Sequence, residues 1–323
     1  MDKSSENLWL IDTSYSFIDS IAFDYLFRNL NIVAITCIGT INNHTSSIKE
    51  KIQKHINSIN SSLNIEVYEG SNIPFINYQK ELKDEMIINP YEIKNFEAVN
   101  ESVIKSNENF SLENVAAVKI LEFASKYGKK LNILSLGPLT NLALSVLIDS
   151  SLADKINSLI VTGGSTNNWG NSGNAAEYNF RYDPVATKNI VKYFTKNKLI
   201  VPLEIDRELS SRIFNEEIAK QIKNKETAEK FRLVIQHLKE KTNESEFEMI
   251  NFNCLSLFSS LYAINQKILT NNVVYPSDVD IVGRLTRGIL VMEKYNHVIS
   301  GKCVPTNFAV NFDVNLVIDL ILI

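Results

Sequence analysis

Short apolar, β-branched runs alternate along this chain with stretches whose apolar residues recur at i, i+3 and i+4. The runs LWLID, NIVAITCIG, IEVYEG, LNILSLG, SLIVTGG and LIVPLEI predict strands. The segment Ser111–Tyr127, SLENVAAVKILEFASKY, predicts a helix with Ser111 as N-cap and Gly128 just past its end. A second helix is predicted at DPVATKNIVKYF, where Asp183 suits the N-cap and Pro184 the first helical position. From Asn215 to Ile264 the pattern is predominantly helical. Two strand-like runs follow, VVYPSDVDIVG and GILVMEKYN, then NFAVNFD and a terminal helix from Asp313. Strand and helix in alternation imply βαβ units. The expectation is an α/β fold, an open and mostly parallel central sheet flanked by helices, with a more helical C-terminal part and residues 1–323 forming one domain. The polar stretch Asn77 to Asn109 is the least patterned and reads as a long loop.

Composition narrows the classes. The 323 residues are 45% hydrophobic and 22% charged, with a net charge of −4. That balance argues against a non-specific nucleic-acid binder and against a basic membrane-surface protein. Cys37, Cys254 and Cys303 are far apart and show no CxxC spacing, which speaks against a disulfide framework or structural zinc and for a reducing compartment. No run of apolar residues is long enough to span a bilayer, and MDKSSENLW lacks the apolar core of a secretory signal. The expected location is cytoplasmic, with an organellar one left open. His44, His55, His237 and His297 are scattered and read as surface residues.

Ligands of open α/β sheets sit outside the carboxyl ends of the strands. The segments to inspect are therefore Asp12–Asp19, Gly39–Asn43, Gly137–Asn141 and Gly163–Asn179, each with several polar or glycine residues. None contains GxGxxG, GxxxxGK[ST] or GxSxG, so dinucleotide, P-loop and serine-hydrolase readings have no support.

Three motifs in order carry a more specific signal. SLGPLTNLALSV (Ser135–Val146), VTGGSTNNWGNSGNAAEYNFRYDPVAT (Val161–Thr187) and VGRLTRGILV (Val282–Val291) resemble the nucleoside hydrolases, the inosine–uridine-preferring N-ribohydrolases. IEVYEGSNIPF and NFAVNFDVNLVIDLIL fit the same family at the expected places, so the resemblance covers essentially the whole chain. It implies the nucleoside-hydrolase fold and an acidic first-strand signature, DTDPGxDDAxA, that binds Ca²⁺ and ribose and activates water. Here that signature reads DTSYSFIDSIA. Asp12 and Asp19 match family aspartates. Ser14 replaces the general base, Ile18 a ribose-contacting aspartate, and Tyr15-Ser16 the Pro-Gly pair. The C-terminal HDPLA motif aligns with FNCLS, placing Phe252 at the family histidine and Asn253 at a metal aspartate. The resemblance carries the metal-facing carbonyl to Thr140 and the ribose contacts to Asn171, Glu177 and Asn179.

Ca²⁺ takes six to eight oxygens, with carboxylates supplying most of the affinity. With Ser14 and Asn253 in place of aspartates, only Asp19 brings a formal charge to the implied metal set of Asp19, Thr140 and Asn253. The expectation is therefore a nucleoside-hydrolase-like protein without a cofactor, or with Ca²⁺ only if the vestigial set still binds it. Its role would be a catalytically inactive binding or structural subunit of a homo-oligomer or protein complex, with a nucleoside or ribosyl group as possible ligand through Asn171, Glu177, Asn179 and Asp12. The alternative is a working nucleoside N-ribohydrolase with an atypical site. Each residue also has a plainer reading: Asp12 fixing the loop through backbone N–H groups, Asp19 as a helix-start residue, Thr140 and Asn141 as a helix cap, and Trp169 packing or stacking on a base.

Overall fold

A computed structural model describes residues 7–41, 43–59, 63–76, 115–173, 175–242, 253–294 and 303–323. Phe252, His297, the predicted cap Ser111 and the stretch Asn77–Asn109 lie outside them.

The six predicted early strands are all present: β1 (Leu8–Thr13), β2 (Asn31–Cys37), β3 (Glu66–Glu69), β4 (Leu131–Ser135), β5 (Ser158–Thr162) and β6 (Lys198–Val201). Helix α1 (Phe17–Asn29) follows β1, and α2 (Thr45–Ile59) follows β2. Helices α3 (Ala116–Tyr127), α4 (Thr140–Ile148) and the short α5 (Leu152–Lys155) surround β4. Between β5 and β6 lie α6 (Tyr178–Tyr182) and α7 (Pro184–Tyr193). Helices α8 (Leu203–Ile213), α9 (Glu216–Gln221), α10 (Lys225–Thr242) and α11 (Leu255–Ile264) make the helical second half. The chain closes with β7 (Leu269–Val279), β8 (Leu290–Met292), β9 (Val304–Phe312) and α12 (Val314–Leu322). Two boundaries differ from expectation. Helix α3 starts at Ala116, with Val115, in extended conformation, as its N-cap, and not at the predicted Ser111. The run LIVPLEI stops being strand at Val201, because Pro202 cannot donate to the ladder and instead precedes α8.

The nine strands form one sheet in the order β3-β2-β1-β4-β5-β6-β9-β7-β8. Strands β1 to β6 and β9 run parallel, while β7 lies antiparallel between β9 and β8. This is the expected mostly parallel sheet flanked by helices. Strands β1, β2 and β4 to β6 are mostly buried on both faces, so they read as continuous apolar runs whose side chains alternate between two cores. Trp9, Ile11, Ile35, Leu134, Ile160 and Val201 face a core built with α1, α2 and α8 to α12. Leu10, Ala34, Ile133, Leu159, Val161 and Ile200 face a second core built with α3, α4, α5 and α7.

The chain winds outward from β1 through β2 to β3, then returns to add β4 on the other side of β1. The switch point thus falls between β1 and β4, where Asp12 pairs in register with Ser135, and Asp12 also pairs with Thr36 of β2. Among the described residues no helix is long and apolar enough to cross a membrane.

Candidate functional site

The turn after β1 is tied to the start of α1. The Thr13 hydroxyl donates to Asp19 Oδ2 at 3.0 Å and accepts from the Tyr15 N–H at 2.9 Å. The Ser16 N–H donates to Asp19 Oδ2 at 2.9 Å, and the Asp19 N–H donates to Ser16 Oγ at 3.2 Å, a reciprocal capping box. The Ser256 hydroxyl of α11 adds a further bond to the Asp19 carboxylate. Burial raises the Asp19 pKa against these donors. The helix-start reading of Asp19 therefore holds, and α11 is brought to the same place. Ile18 is buried in the α1-side core, and Ser14 is half-buried beside Gly137.

Tyr15 has φ 52°, a left-handed conformation that costs a residue with a bulky side chain about 1–3 kcal/mol. Its ring turns away from the strand ends, onto Phe23 of α1 and His55 of α2. Asp24, His55 and Glu226 offer ligand atoms within 4.8 Å of one another. Lys230 already supplies a cation there, 3.0 Å from Asp24 Oδ1 and 3.3 Å from Glu226, so the cluster is an ion-pair network. His55 is buried, contrary to the surface expectation. It lies on the apolar face of α2 with Ile48, Ile52 and Ile56, and that spacing was the signal for its burial.

Asp12 is wholly buried at the end of β1. Oδ1 accepts from Thr36 Oγ1 at 2.6 Å and from Asn141 Nδ2 at 2.9 Å, while Oδ2 has no partner. Side chains, and not the expected backbone N–H groups, thus hold this carboxyl. Burial pushes its pKa up to about 6. Asn141 also donates to the Cys37 carbonyl at 2.9 Å and accepts from the Ser71 N–H at 2.9 Å. The amide packs onto Gly70, where a Cβ would come within 2.3 Å of Asn141 Oδ1, so only glycine fits. The Thr140 hydroxyl donates to Asp183 Oδ2 at 2.8 Å. Neither Thr140 nor Asn141 is a helix cap: Leu139 is the N-cap of α4, and it makes no side-chain bond.

The fourth segment, Gly163–Asn179, closes over β4 and β5. Asn179 Nδ2 donates to the Thr162 carbonyl at 3.0 Å and to the Leu136 carbonyl at 3.4 Å. Asn171 Oδ1 accepts from the Tyr178 N–H at 2.9 Å. Glu177 Oε2 accepts from the N–H groups of Gly164 and Phe180 at 3.0 and 3.2 Å, while Oε1 is buried and without partner. Burial pushes the Glu177 pKa up to about 7. Trp169 is 69% exposed and so does not pack.

Asn253 precedes α11. Its Oδ1 accepts from the Leu255 N–H at 2.7 Å. Asp206 of α8 accepts from the Cys254 N–H at 2.9 Å and from Ser210 Oγ at 2.5 Å, anchoring that segment from behind. Asp183, Asp206 and Ser256 were not legible as site neighbours, because their partners are remote in sequence. The sum is a set of strand ends where Asp12 Oδ2, Thr162 Oγ1 and Glu177 Oε1 are buried oxygens without partners. Such atoms are costly unless a ligand or water meets them.

Raising the Glu177 pKa means that between about 4.5 and 7 the native state keeps a proton the unfolded chain has lost. Stability should therefore fall as pH rises through that window. Glu177→Gln keeps an acceptor for Gly164 and Phe180 but removes the titration. Urea unfolding at pH 4.5, 6 and 8 should show the variant gaining on the parent as pH rises. A difference that does not change with pH would contradict the burial of this carboxyl.

The sequence profile described as inosine-uridine preferring nucleoside hydrolase matches residues 10–319. Uridine nucleosidase 1 of Arabidopsis thaliana is 43% identical over 74 residues, 23% of this chain and 22% of that protein. Probable uridine nucleosidase 2 of Oryza sativa subsp. japonica is 39% identical over 75 residues, 23% and 22% of the two chains. The aligned stretch thus spans about a fifth of these curated relatives. A solved plant nucleoside hydrolase superposes with a TM-score of 0.75 at 19% identity, covering 98% of both chains. A purine-preferring ribonucleoside hydrolase from Gardnerella vaginalis gives 0.73 at 16% identity, covering 98% of this chain and 97% of that one. At these identities the structural likeness is one of fold.

Proposed function

This chain belongs to the inosine-uridine preferring nucleoside hydrolase family, and from that premise we propose that it binds a ribosyl ligand without hydrolysing nucleosides at family-like rates, acting as a binding or structural subunit. The reading rests on one observation above others. Asp19, the single carboxylate in the metal set implied by the resemblance, turns Oδ2 to Thr13 and Ser16 within its own helix cap. Ser14 and Asn253 offer only neutral oxygens, and that of Asn253 already accepts the Leu255 N–H. This donor set does not fit a Ca²⁺ cage, which draws its affinity from several carboxylates. Water activation also lacks a base at position 14, a loss of about 10²–10⁴ in rate.

On the ribosyl side Asn171 and Asn179 already bond backbone groups, while Asp12 and Glu177 each keep one acceptor oxygen. Glu177 Oε1, Asp12 Oδ2 and Thr162 Oγ1 stand ready for donors such as sugar hydroxyls. Ile18, buried and apolar, offers nothing to such a hydroxyl. The chain acts as one unit of residues 1–323, a reading supported by a sheet that draws strands from Leu8 to Phe312. Assembly into an oligomer or complex is supported by Val274, Val282, Leu285 and Val291, all exposed along the β7–β8 hairpin. A cytoplasmic setting is supported by three free cysteines, Cys37 and Cys254 buried and Cys303 part-exposed.

The test pairs calorimetric titration of ribose, inosine and uridine with a turnover assay, run beside a Ca²⁺-loaded family hydrolase. Binding with turnover at least about a hundredfold below that enzyme is expected. Turnover within tenfold of it, abolished by Asp19→Ala, would overturn the reading. A second reading, hydrolysis by an atypical site, is favoured by the Glu177 carboxyl. It titrates near neutrality with one oxygen unpartnered, as a general base requires. Slow turnover with a pH midpoint near 7, lost in Glu177→Gln, would select it.

A further inference from the structure

Between β5 and α6 the chain makes an excursion whose two feet carry buried oxygens without partners. One foot is Thr162, at the end of β5, and the other is Glu177, whose Oε2 accepts the Gly164 N–H at 3.0 Å. Residues Ser165 to Gly170 form the outer part of this loop, and helix α8 clasps them. Glu204 accepts from Ser165 Oγ at 2.8 Å and from the N–H groups of Thr166 and Asn167 at 3.0 and 3.2 Å. One turn on, Arg207 Nη2 donates to the Gly170 carbonyl at 3.3 Å. Lys294, beyond β8, donates to the Thr166 carbonyl at 2.9 Å. Gly170 lies so close to Ala176 that a Cβ would stand 1.8 Å from the Ala176 carbonyl oxygen. The same helix α8 holds the start of α11, through Asp206 and the Cys254 N–H, so the loop and Asn253 are fastened to one support.

Trp169 stands on this loop. Its N–H donates to Ser165 Oγ at 3.1 Å and to Asn167 Oδ1 at 3.0 Å, and Asn168 before it takes a left-handed φ of 62°, which asparagine tolerates. The backbone is therefore held while the indole is 69% exposed. Asn171 follows two residues later, at most about 7 Å along the chain. Because the loop leaves and rejoins the sheet at Thr162 and Glu177, its tip rims the place where a sugar hydroxyl would meet their oxygens. An exposed indole on a loop that is already ordered offers a large rigid contact area at little further ordering cost. We propose that Trp169 is the stacking platform for an aromatic base carried by the ribosyl ligand. This rests on the ribosyl reading and deepens it, from a sugar to a nucleoside. Every base has a π-face, so the platform selects a nucleoside over the bare sugar and discriminates weakly between purine and pyrimidine.

Trp9 and Trp169 are the two tryptophans of the chain, and Trp9 is 3% exposed in the α1-side core. Tryptophan fluorescence therefore reads contact at Trp169. The experiment titrates inosine, uridine and ribose into the parent, Trp169→Phe and Trp169→Ala, following fluorescence and heat on the same samples. In the parent, inosine and uridine should quench the exposed indole while ribose does not, and both nucleosides should bind roughly five- to a hundredfold tighter than ribose. Trp169→Ala should bring that ratio close to one, and Trp169→Phe should keep part of it. The position is exposed, so both variants should fold. Nucleosides that bind without quenching, that bind no tighter than ribose, or that keep their advantage in Trp169→Ala would overturn the platform and leave the ribosyl reading standing. Failure of ribose and nucleosides alike to bind would overturn both.

Discussion

The variant Ser14→Asp/Ile18→Asp/Asn253→Asp should be markedly less stable than the parent in a chelator and should regain much of that loss with millimolar Ca²⁺. Three new carboxylates would join Asp19 between the β1 turn and the start of α11. Ile18 and Asn253 are buried, so the added charges are desolvated and repel, at several kcal/mol for an unpaired buried ion. A cation that binds only the folded state returns about 2.7 kcal/mol at a hundredfold excess over its Kd. Asp at position 253 can still accept the Leu255 N–H, and Asp at position 18 sits in the first turn of α1, where the helix dipole favours it. The local backbone therefore does not oppose the changes. Thermal unfolding of parent and variant, with and without Ca²⁺, is the measurement. A folded variant with no Ca²⁺-dependent shift would mean that these positions do not converge on one point.

A second large effect is expected from Asn141→Ala. The Asn141 amide joins the ends of β1 and β2 and the loop after β3 through Asp12, the Cys37 carbonyl and the Ser71 N–H. Truncation leaves the Cys37 carbonyl and the Ser71 N–H short of a partner, takes a donor from an already strained carboxyl, and opens a void beside Gly70. At about 1–3 kcal/mol for each buried group left unsatisfied, the loss should be roughly 3–5 kcal/mol. Urea unfolding should show a lower midpoint with an unchanged slope. A loss under about 1 kcal/mol would mean that water replaces the amide without penalty.

The fold was legible because its signals are local. Apolar, β-branched runs and the Asp183-Pro184 and Asp313 helix starts were found where expected. Pro202 misled because the strand and helix it separates are both apolar, and periodicity over so short a run cannot tell them apart. The site was legible only along single segments. Asp12, Glu177 and Asn179 were singled out, but their partners Thr36, Asn141, Gly164 and Thr162 follow from strand order, which no local pattern encodes. His55 was misjudged through being read as a residue type, when its neighbours Ile52 and Ile56 marked the buried face of α2. The hydrogen bonds that link Tyr15 to His55 and His55 to Asp24 join residues 40 and 31 positions apart and could not be anticipated from sequence.

Among the described residues the sheet has nine strands, yet its two outermost members are β3 with four residues and β8 with three. An edge strand is a row of unpaired backbone groups that another chain can extend, and the hazard grows with its length and flatness. Here β3 begins and ends in glutamate, and Glu69 bridges to Val115 on the outer side. A copy docking by strand addition would find little ladder at either margin and like charge along one of them. Self-association through the sheet edges is thereby disfavoured, and a concentrated solution of folded chains should resist fibril growth even though the interior strands, if unfolded, are short apolar, β-branched runs of the kind that seed it.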